Sequence, residues 1–331
     1  MNQAMVAWFK HVNSTGGVQG HPIKVDTRDD AYQATEAVTN TKAFIAEHVI
    51  AVTGQCGSIQ PPAQMPLLQA AHIPFLFTFG SCTSCESDSM YFNLMPGYGS
   101  QLESAIPWVF QHEGTGSVVV MTTSTPGAAQ ITSNVQSAVT KAGGTNLASY
   151  SAPPGTADMT PFVLQMKALN PDYVVLNMTP QDAAVLTKAM AAQNFAPKKF
   201  LIGSSAIAQA AFLTNVDPSL QPKVIVTSDV IPPSAAPGTQ CDKVLTAAKI
   251  PVNAVTLRGC GTAQVDVAAL DQAKPLTSAG LVAALDSWKN VKASGIYPPI
   301  TFSATQRVGV AASSVFVFDV QGGQFVKIGQ L

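Results

Sequence analysis

Met1, Met5, Trp8 and Val12 recur at helical spacing and form one apolar stripe, so the chain opens on a helix. Asn13-Ser14-Thr15-Gly16-Gly17 ends it, because glycine takes the left-handed cap conformation without a Cβ clash. Gly20 and Pro22 close a turn, and Ile23-Lys24-Val25 begins a short strand that runs out into Asp29-Asp30. Ala37, Val38, Phe44 and Ile45 then mark one face of a second helix ending near His48. Residues 49–53 are a continuous apolar run, as expected of a strand buried on both faces of a parallel sheet. Pro61-Pro62 suits the first turn of a helix reaching Ala71, where a missing N–H costs nothing. A strand at 73–77, a helix at 102–110 and a strand at 117–121 follow, so helices and strands alternate with short connections.

The rhythm then restarts. Helices are expected at 130–142, 161–169, 183–193 and 206–213, and strands at 146–150, 173–176, 200–202 and 223–227. The proline-rich stretch 231–238 reads as a crossing between lobes. Residues 240–291 read as helices packing back on the first lobe, and Gly322-Gly323 between two β-type runs signals a closing hairpin.

Composition narrows the classes. At 331 residues, 47% hydrophobic and 11% charged, the chain can bury a large core in two lobes. A net charge of −1 gives no electrostatic case for nucleic acid or an anionic membrane as partner. Its apolar runs are far shorter than the 18 or so residues a membrane span requires, and no signal peptide opens the chain. There is no GxGxxG opening a helix, no GxxxxGK[ST], no HExxH and no GxSxG, so no enzyme motif is present and no cofactor is expected. The histidines, at 11, 21, 48, 72 and 112, are scattered over helices and turns of the first lobe.

Cys82 and Cys85 lie in SCTSC, without the further ligands that zinc needs. Cys241 and Cys260, nineteen residues apart, are expected to form a disulfide in an oxidising compartment. One more bond is expected among Cys56, Cys82 and Cys85. Cys56 with Cys82 is the attractive pairing because both follow adjacent strand ends, and one thiol is left over.

The run of Asn13, Gly16-Gly17, Gly20 and Asp29-Asp30 resembles the "N-GG-x-x-G-…-DD" signature of periplasmic binding proteins that serve ABC transporters of the branched-chain amino acid and amide type. The tail, PPITF followed by a strand pair with GQFV, resembles the closing segment of the same family. The resemblance implies an α/β protein of two doubly wound parallel-sheet lobes joined by a multi-strand hinge, lobe 1 from 1–121 and 232–311, lobe 2 from 122–231 and 312–331. It implies a monomeric, non-enzymatic solute receptor outside the cytoplasm, periplasmic or at the cell surface. Such a receptor would capture an amino acid-like molecule, amide or organic acid between its lobes and deliver it to an ABC permease. A ligand-sensing regulatory protein on the same fold is the alternative. In this family one more strand precedes the first helix, at the centre of the first sheet, and it is expected to be missing ahead of Met1.

Ligands of open α/β sheets bind at the carboxyl ends of strands. By resemblance, Gly57, Ser58, Phe79, Gly80 and Ser81 form a donor cradle for a carboxylate, and Tyr98 with Phe79 gives an apolar wall. In the second lobe the pattern departs from the amino-acid binders. Pro126 stands where a tyrosine is expected, and Met178 and Thr179 where another aromatic is expected. Ser205 replaces the acid that would pair with a ligand ammonium. Asp182, at a helix start, and Asp229, at a strand end, remain as carboxylates.

Overall fold

The computed structural model describes residues 1–80, 82–125 and 127–331. Ser81 and Pro126 therefore lie outside the described residues. The chain divides into two compact units, one of residues 1–97 and 235–311, the other of 98–234 and 312–331, and passes between them three times.

In the first unit, α1 (Asn2–Ser14) buries Ala4, Met5, Trp8 and Phe9, the stripe read from the sequence, and Gly16 and Gly17 follow it in the left-handed region. α2 (Ala34–Ala46), β1 (Val52–Thr53), α3 (Pro61–Ala70), β2 (Phe75–Leu76) and β3 (Tyr91–Phe92) come next. The three strands form a parallel sheet in the order β1-β2-β3, with Val52, Leu68, Phe75 and Tyr91 in its core. The expected strand from Ile23 to Asp30 does not form. Asn13 clamps Ile23 by two hydrogen bonds, donating from Nδ2 to the Ile23 carbonyl at 2.8 Å and accepting the Ile23 N–H at 2.7 Å. Beyond that clamp, no strand among the described residues lies alongside to bond the segment. β1 is likewise only two residues of the expected five, because β2 pairs one edge and no strand among the described residues pairs the other. Consequently Ile50 is exposed instead of buried on both faces.

In the second unit, α4 (Tyr98–Glu113), β4 (Ser117–Thr123), α5 (Ala128–Lys141), β5 (Thr145–Ala152), α6 (Thr160–Leu169), β6 (Tyr173–Asn177), α7 (Pro180–Ala192), β7 (Phe200–Gly203), α8 (Ala210–Leu213) and β8 (Val224–Ser228) follow in order. The chain then returns to the first unit for α9 (Gln240–Ala247), α10 (Ala254–Gln272) and α11 (Ser278–Asp286), and ends in the second with the hairpin β9 (Phe316–Gln321) and β10 (Gln324–Gln330). The seven-stranded sheet has the order β10-β9-β8-β7-β6-β4-β5, parallel from β8 to β5 and antiparallel at β9 and β10. Its central strands are apolar on both faces. Val119, Val174 and Leu176 face one core with Met166 and Leu186, while Val118, Val120 and Val175 face another with Ile106 and Val139.

The first crossing falls at 97/98, not after residue 121. α4 and β4 belong to the second unit because Leu102, Ile106, Val109 and Phe110 pack against Val118, Val120 and Tyr173 of its sheet. His112, on α4, is therefore apart from the other four histidines. α8 is also shorter than the expected 206–213, since Ser204 and Gln209 turn the chain through residues 204–209 before the helix starts.

Cys241 and Cys260 are fully buried and bonded, tying α9 to α10 with a Cα–Cα distance of 5.8 Å. Cys82 bonds Cys85, not Cys56: a single 3-10 turn at Thr83–Cys85 brings their Cα atoms to 5.3 Å. Cys56 is bridged by its backbone to Phe79 and stays a free, exposed thiol. Thiol titration in denaturant without reductant is expected to find one reactive cysteine. Replacing Cys241 and Cys260 together by serine should lower the unfolding free energy by about 3 kcal/mol, the loop-closure value for a crosslink of this span. Urea unfolding measures it, and an unchanged midpoint would show that the bridge contributes nothing.

Candidate functional site

Two loops at the carboxyl ends of β1 and β2 run side by side in the first unit. The Gly57 N–H donates to the Phe79 carbonyl at 2.9 Å, and the Phe79 N–H donates to the Gln55 carbonyl at 2.7 Å. Gly80 lies against the turn at Gly57 and Ser58. A Cβ added at Gly80 would fall on the Gly57 carbonyl oxygen, 2.6 Å from its carbonyl carbon and 2.9 Å from Ser58 Oγ. Asn93 Nδ2 donates to the Gly80 carbonyl at 3.2 Å and the Thr78 hydroxyl pairs with Tyr91 Oη at 2.9 Å, so the second loop is held from beneath. The structure thus brings Gly57, Ser58, Phe79 and Gly80 together.

Only the first loop precedes an α-helix. α3 starts at Pro61 and its N-cap is Gln60, so Ser58 stands three residues ahead of the helix and is not the cap. The second loop leads into the three-residue 3-10 turn at Thr83–Cys85, too short to act as a helix end for an anion.

Two residues not anticipated from the sequence belong to this place. Gln60 is fully buried, and neither its Oε1 nor its Nε2 has a hydrogen-bond partner. The amide lies against Gly57, whose added Cβ would collide with Gln60 Oε1. A buried amide without partners is costly, so its donor and acceptor are available to a bound group. Arg258 of α10, 6% exposed, places its guanidinium 4.6 Å from the Phe79 ring centroid. A positive charge beside these loops favours a negative ligand end. Arg258 was legible in principle, as a lone charge in the small-residue run Arg258-Gly259-Cys260-Gly261 of an otherwise uncharged helix stretch. Gln60 carried no comparable signal.

The second unit presents its own strand ends. Ser205, after β7, is 1% exposed: its backbone N–H donates to Gln101 Oε1 at 3.0 Å, and its Oγ accepts from Gln101 Nε2 at 2.9 Å. Thr227 Oγ1 donates to the same Oε1 at 3.0 Å. Gln101 on α4, itself buried, therefore clasps the ends of β7 and β8 with a neutral network. Asp229 follows β8 and is fully buried. Met178 is buried in the unit's core and offers no open wall, contrary to expectation. Thr179 caps α7, its hydroxyl accepting the Asp182 N–H at 3.1 Å. Asp182 is not a cap: its carboxylate accepts from Thr123 Oγ1 at 2.9 Å and from the Gly155 N–H at 3.0 Å, bracing two loops. Tyr98 opens α4 and is half-buried, so it belongs to a different unit from Phe79.

Among the described residues, no three His, Cys, Asp or Glu side chains are grouped so as to hold a metal ion, and no helix is long and apolar enough to cross a membrane.

A profile described as "periplasmic binding protein" matches residues 1–324, and the chain belongs to that family. Membership implies a place outside the cytoplasm. Solved structures of similar fold include proteins named as ABC-transporter substrate-binding proteins. A fatty acid ABC transporter substrate-binding protein from Thermomonospora curvata is 21% identical, with TM-score 0.82, covering 99% of this chain and 86% of that one. A branched chain amino acid ABC transporter protein from Thermus thermophilus with bound valine is 14% identical, with TM-score 0.85, covering 99% and 90%. A possible leucine/isoleucine/valine-binding protein from Rhodopirellula baltica SH 1 is 16% identical, with TM-score 0.83, covering 98% and 90%. At these identities the likeness is one of fold. No curated protein matches the chain.

Proposed function

We propose that this protein is the solute-binding component of an ABC importer, without catalytic activity. Its ligand has one anionic or strongly accepting end and an apolar remainder, as in an aliphatic or aromatic acid or an amide, and is not a zwitterionic amino acid. The observation that carries this reading is the clasp of Ser205 by Gln101. An amino acid requires a donor cradle for its carboxylate and a counter-charge for its ammonium. At the position where the resemblance puts that counter-charge stands a neutral hydroxyl already engaged with a neutral amide, and such groups do not offset the desolvation of an ammonium. The first anchor is supported by the paired loops with Ser58 and Gly80, the open amide of Gln60 and the charge of Arg258. One neighbour of the same fold is named for fatty acids and another holds valine, so the distinction rests on these side chains and not on the fold.

Calorimetry tests it. Leucine, isoleucine and valine are expected to give no measurable heat, and medium-chain aliphatic or aromatic acids to bind at micromolar concentration. A micromolar dissociation constant for leucine that Asp229→Asn abolishes would move the ammonium anchor to Asp229 and overturn the proposed specificity.

A further inference from the structure

Asp29 and Asp30 build a turn that reaches the paired loops. Asp29 Oδ1 accepts the Ala31 N–H at 2.9 Å, Asp30 Oδ1 accepts the Tyr32 N–H at 2.8 Å, and the Gln33 N–H donates to the Asp30 carbonyl at 2.8 Å. Both central residues are left-handed, with φ of +48° at Ala31 and +59° at Tyr32. A turn of this hand suits glycine and asparagine; alanine and tyrosine adopt it only with backbone strain. The other oxygen of Asp30 accepts from Gln55 Nε2 at 2.7 Å, and the Gln55 carbonyl is the one that receives the Phe79 N–H. One carboxylate thus fastens the strained turn to the first of the paired loops.

The turn presents one side chain to the site. Tyr32 lies across Gly57: a Cβ on that glycine would stand 2.8 Å from Tyr32 Cε2 and would collide with Gln60 Oε1. The ring edge therefore packs on the loop, beside the buried and unpartnered amide of Gln60. Tyr32 is nevertheless 56% exposed, and its hydroxyl has no hydrogen-bond partner among the described residues. The fold uses one edge of the ring and leaves most of the residue open. Phe79, the other ring at these loops, already has the Arg258 guanidinium over it.

We propose that Tyr32 is a specificity residue of the ligand site, its open ring stacking on a planar ring of the ligand, so that the preferred class is aromatic acids and not aliphatic ones. The inference rests on the reading of the paired loops as a carboxylate anchor. A carboxylate held at Ser58 and Gln60 brings the group it carries beside the ring that covers Gly57. Offset stacking at centroid separations of about 4.5–7 Å gives a flat ring an attraction beyond its contact area, which a saturated ring or chain lacks. Backbone strain concentrates at ligand clamps, where the side chain it holds is used in binding. Asp30 acts as a positioning residue, through the backbone of Tyr32 and the side chain of Gln55.

Matched acids test it. Benzoate, phenylacetate and 3-phenylpropionate are compared with the same acids carrying a cyclohexyl ring, by titration calorimetry on the 331-residue chain. The wild type is expected to bind its best aromatic acid about fivefold tighter than the cyclohexyl partner. Tyr32→Leu should bring that ratio to about one, and Tyr32→Phe should keep it, because only the ring is needed. Equal affinity for the two members in the wild type overturns the proposal, whatever the variants do. An undiminished ratio in Tyr32→Leu overturns it as well. Binding of neither series by the wild type removes the carboxylate anchor itself and this proposal with it, whereas loss of the preference alone leaves the anchor standing.

Discussion

Gly80→Ala is expected to weaken binding of the preferred carboxylic acid at least about a hundredfold. The added methyl meets the backbone of Gly57, which cannot swing aside as a side chain could. The two loops must separate, breaking the hydrogen bonds from Gly57 N–H to Phe79 and from Phe79 N–H to Gln55. A carboxylate held by both loops then loses two or more hydrogen bonds to a charged group, each contributing about 1.5–3 kcal/mol, and about 3 kcal/mol is already more than a hundredfold in affinity. Ser58→Ala, which removes one hydroxyl and leaves the loops paired, should cost about tenfold. Titration calorimetry with the tightest acid of a thermal-shift screen measures both. Wild-type affinity in a folded Gly80→Ala protein would place the anionic end elsewhere.

Asp266→Asn is expected to stabilise the protein, and the gain should grow with pH. Burial is the main cause that pushes the Asp266 carboxyl up to about 8 from 3.8, and the Thr53 hydroxyl offsets it only in part. Below about pH 4 both folded and unfolded chains hold the proton, and the residue makes no difference. As the pH rises toward 8 the unfolded chain ionises while the folded chain does not, so the unfolded state gains. The loss of stability levels off once the folded carboxyl also ionises. Asparagine keeps the acceptor for Thr53 and never ionises. The variant should match the wild type near pH 4 and exceed it near pH 7.5 by on the order of 5 kcal/mol, at 1.36 kcal/mol per pH unit. Urea unfolding at the two pH values is the measurement. A pH-independent difference would mean that Asp266 is ionised in the fold.

The helices were legible because their stripes and stops are local: Met5 and Trp8 on α1, the left-handed glycines after it, and Pro61-Pro62 at the start of α3. The strands of the second unit were legible because burial on both faces leaves uninterrupted runs such as Val118 to Met121. The same rule over-read the first unit. The runs at 23–25 and 49–53 have the residues of strands, but a strand exists only where a neighbour bonds it, and composition does not reveal the neighbour. The candidate site was half legible. Gly57, Ser58, Phe79 and Gly80 follow from looking past strand ends. Gln101 lies 104 residues from the Ser205 it clasps, and Arg258 reaches Phe79 from a helix nearly 180 positions later, so neither could be placed before the chain was folded. Which two of Cys56, Cys82 and Cys85 are bonded is not legible, because the 3-10 turn that closes the Cys82–Cys85 bridge has no apolar period to announce it.

The order of strands in the larger sheet also sets a timetable for the chain as it leaves the ribosome. β8 lies between β7 and β9, yet 87 residues separate Ser228 from Phe316. At about 5–20 residues per second, the outer edge of β8 waits on the order of ten seconds for its partner, with every one of its residues destined for burial. The first unit waits as well, since α10, which carries Cys260 and Arg258, is made only after most of the second unit. Neither unit can close on a nascent chain that stops short of the hairpin or of α11. About a quarter of synthesis therefore passes with the outer edge of β8 uncovered, the interval in which a holding chaperone has most to do.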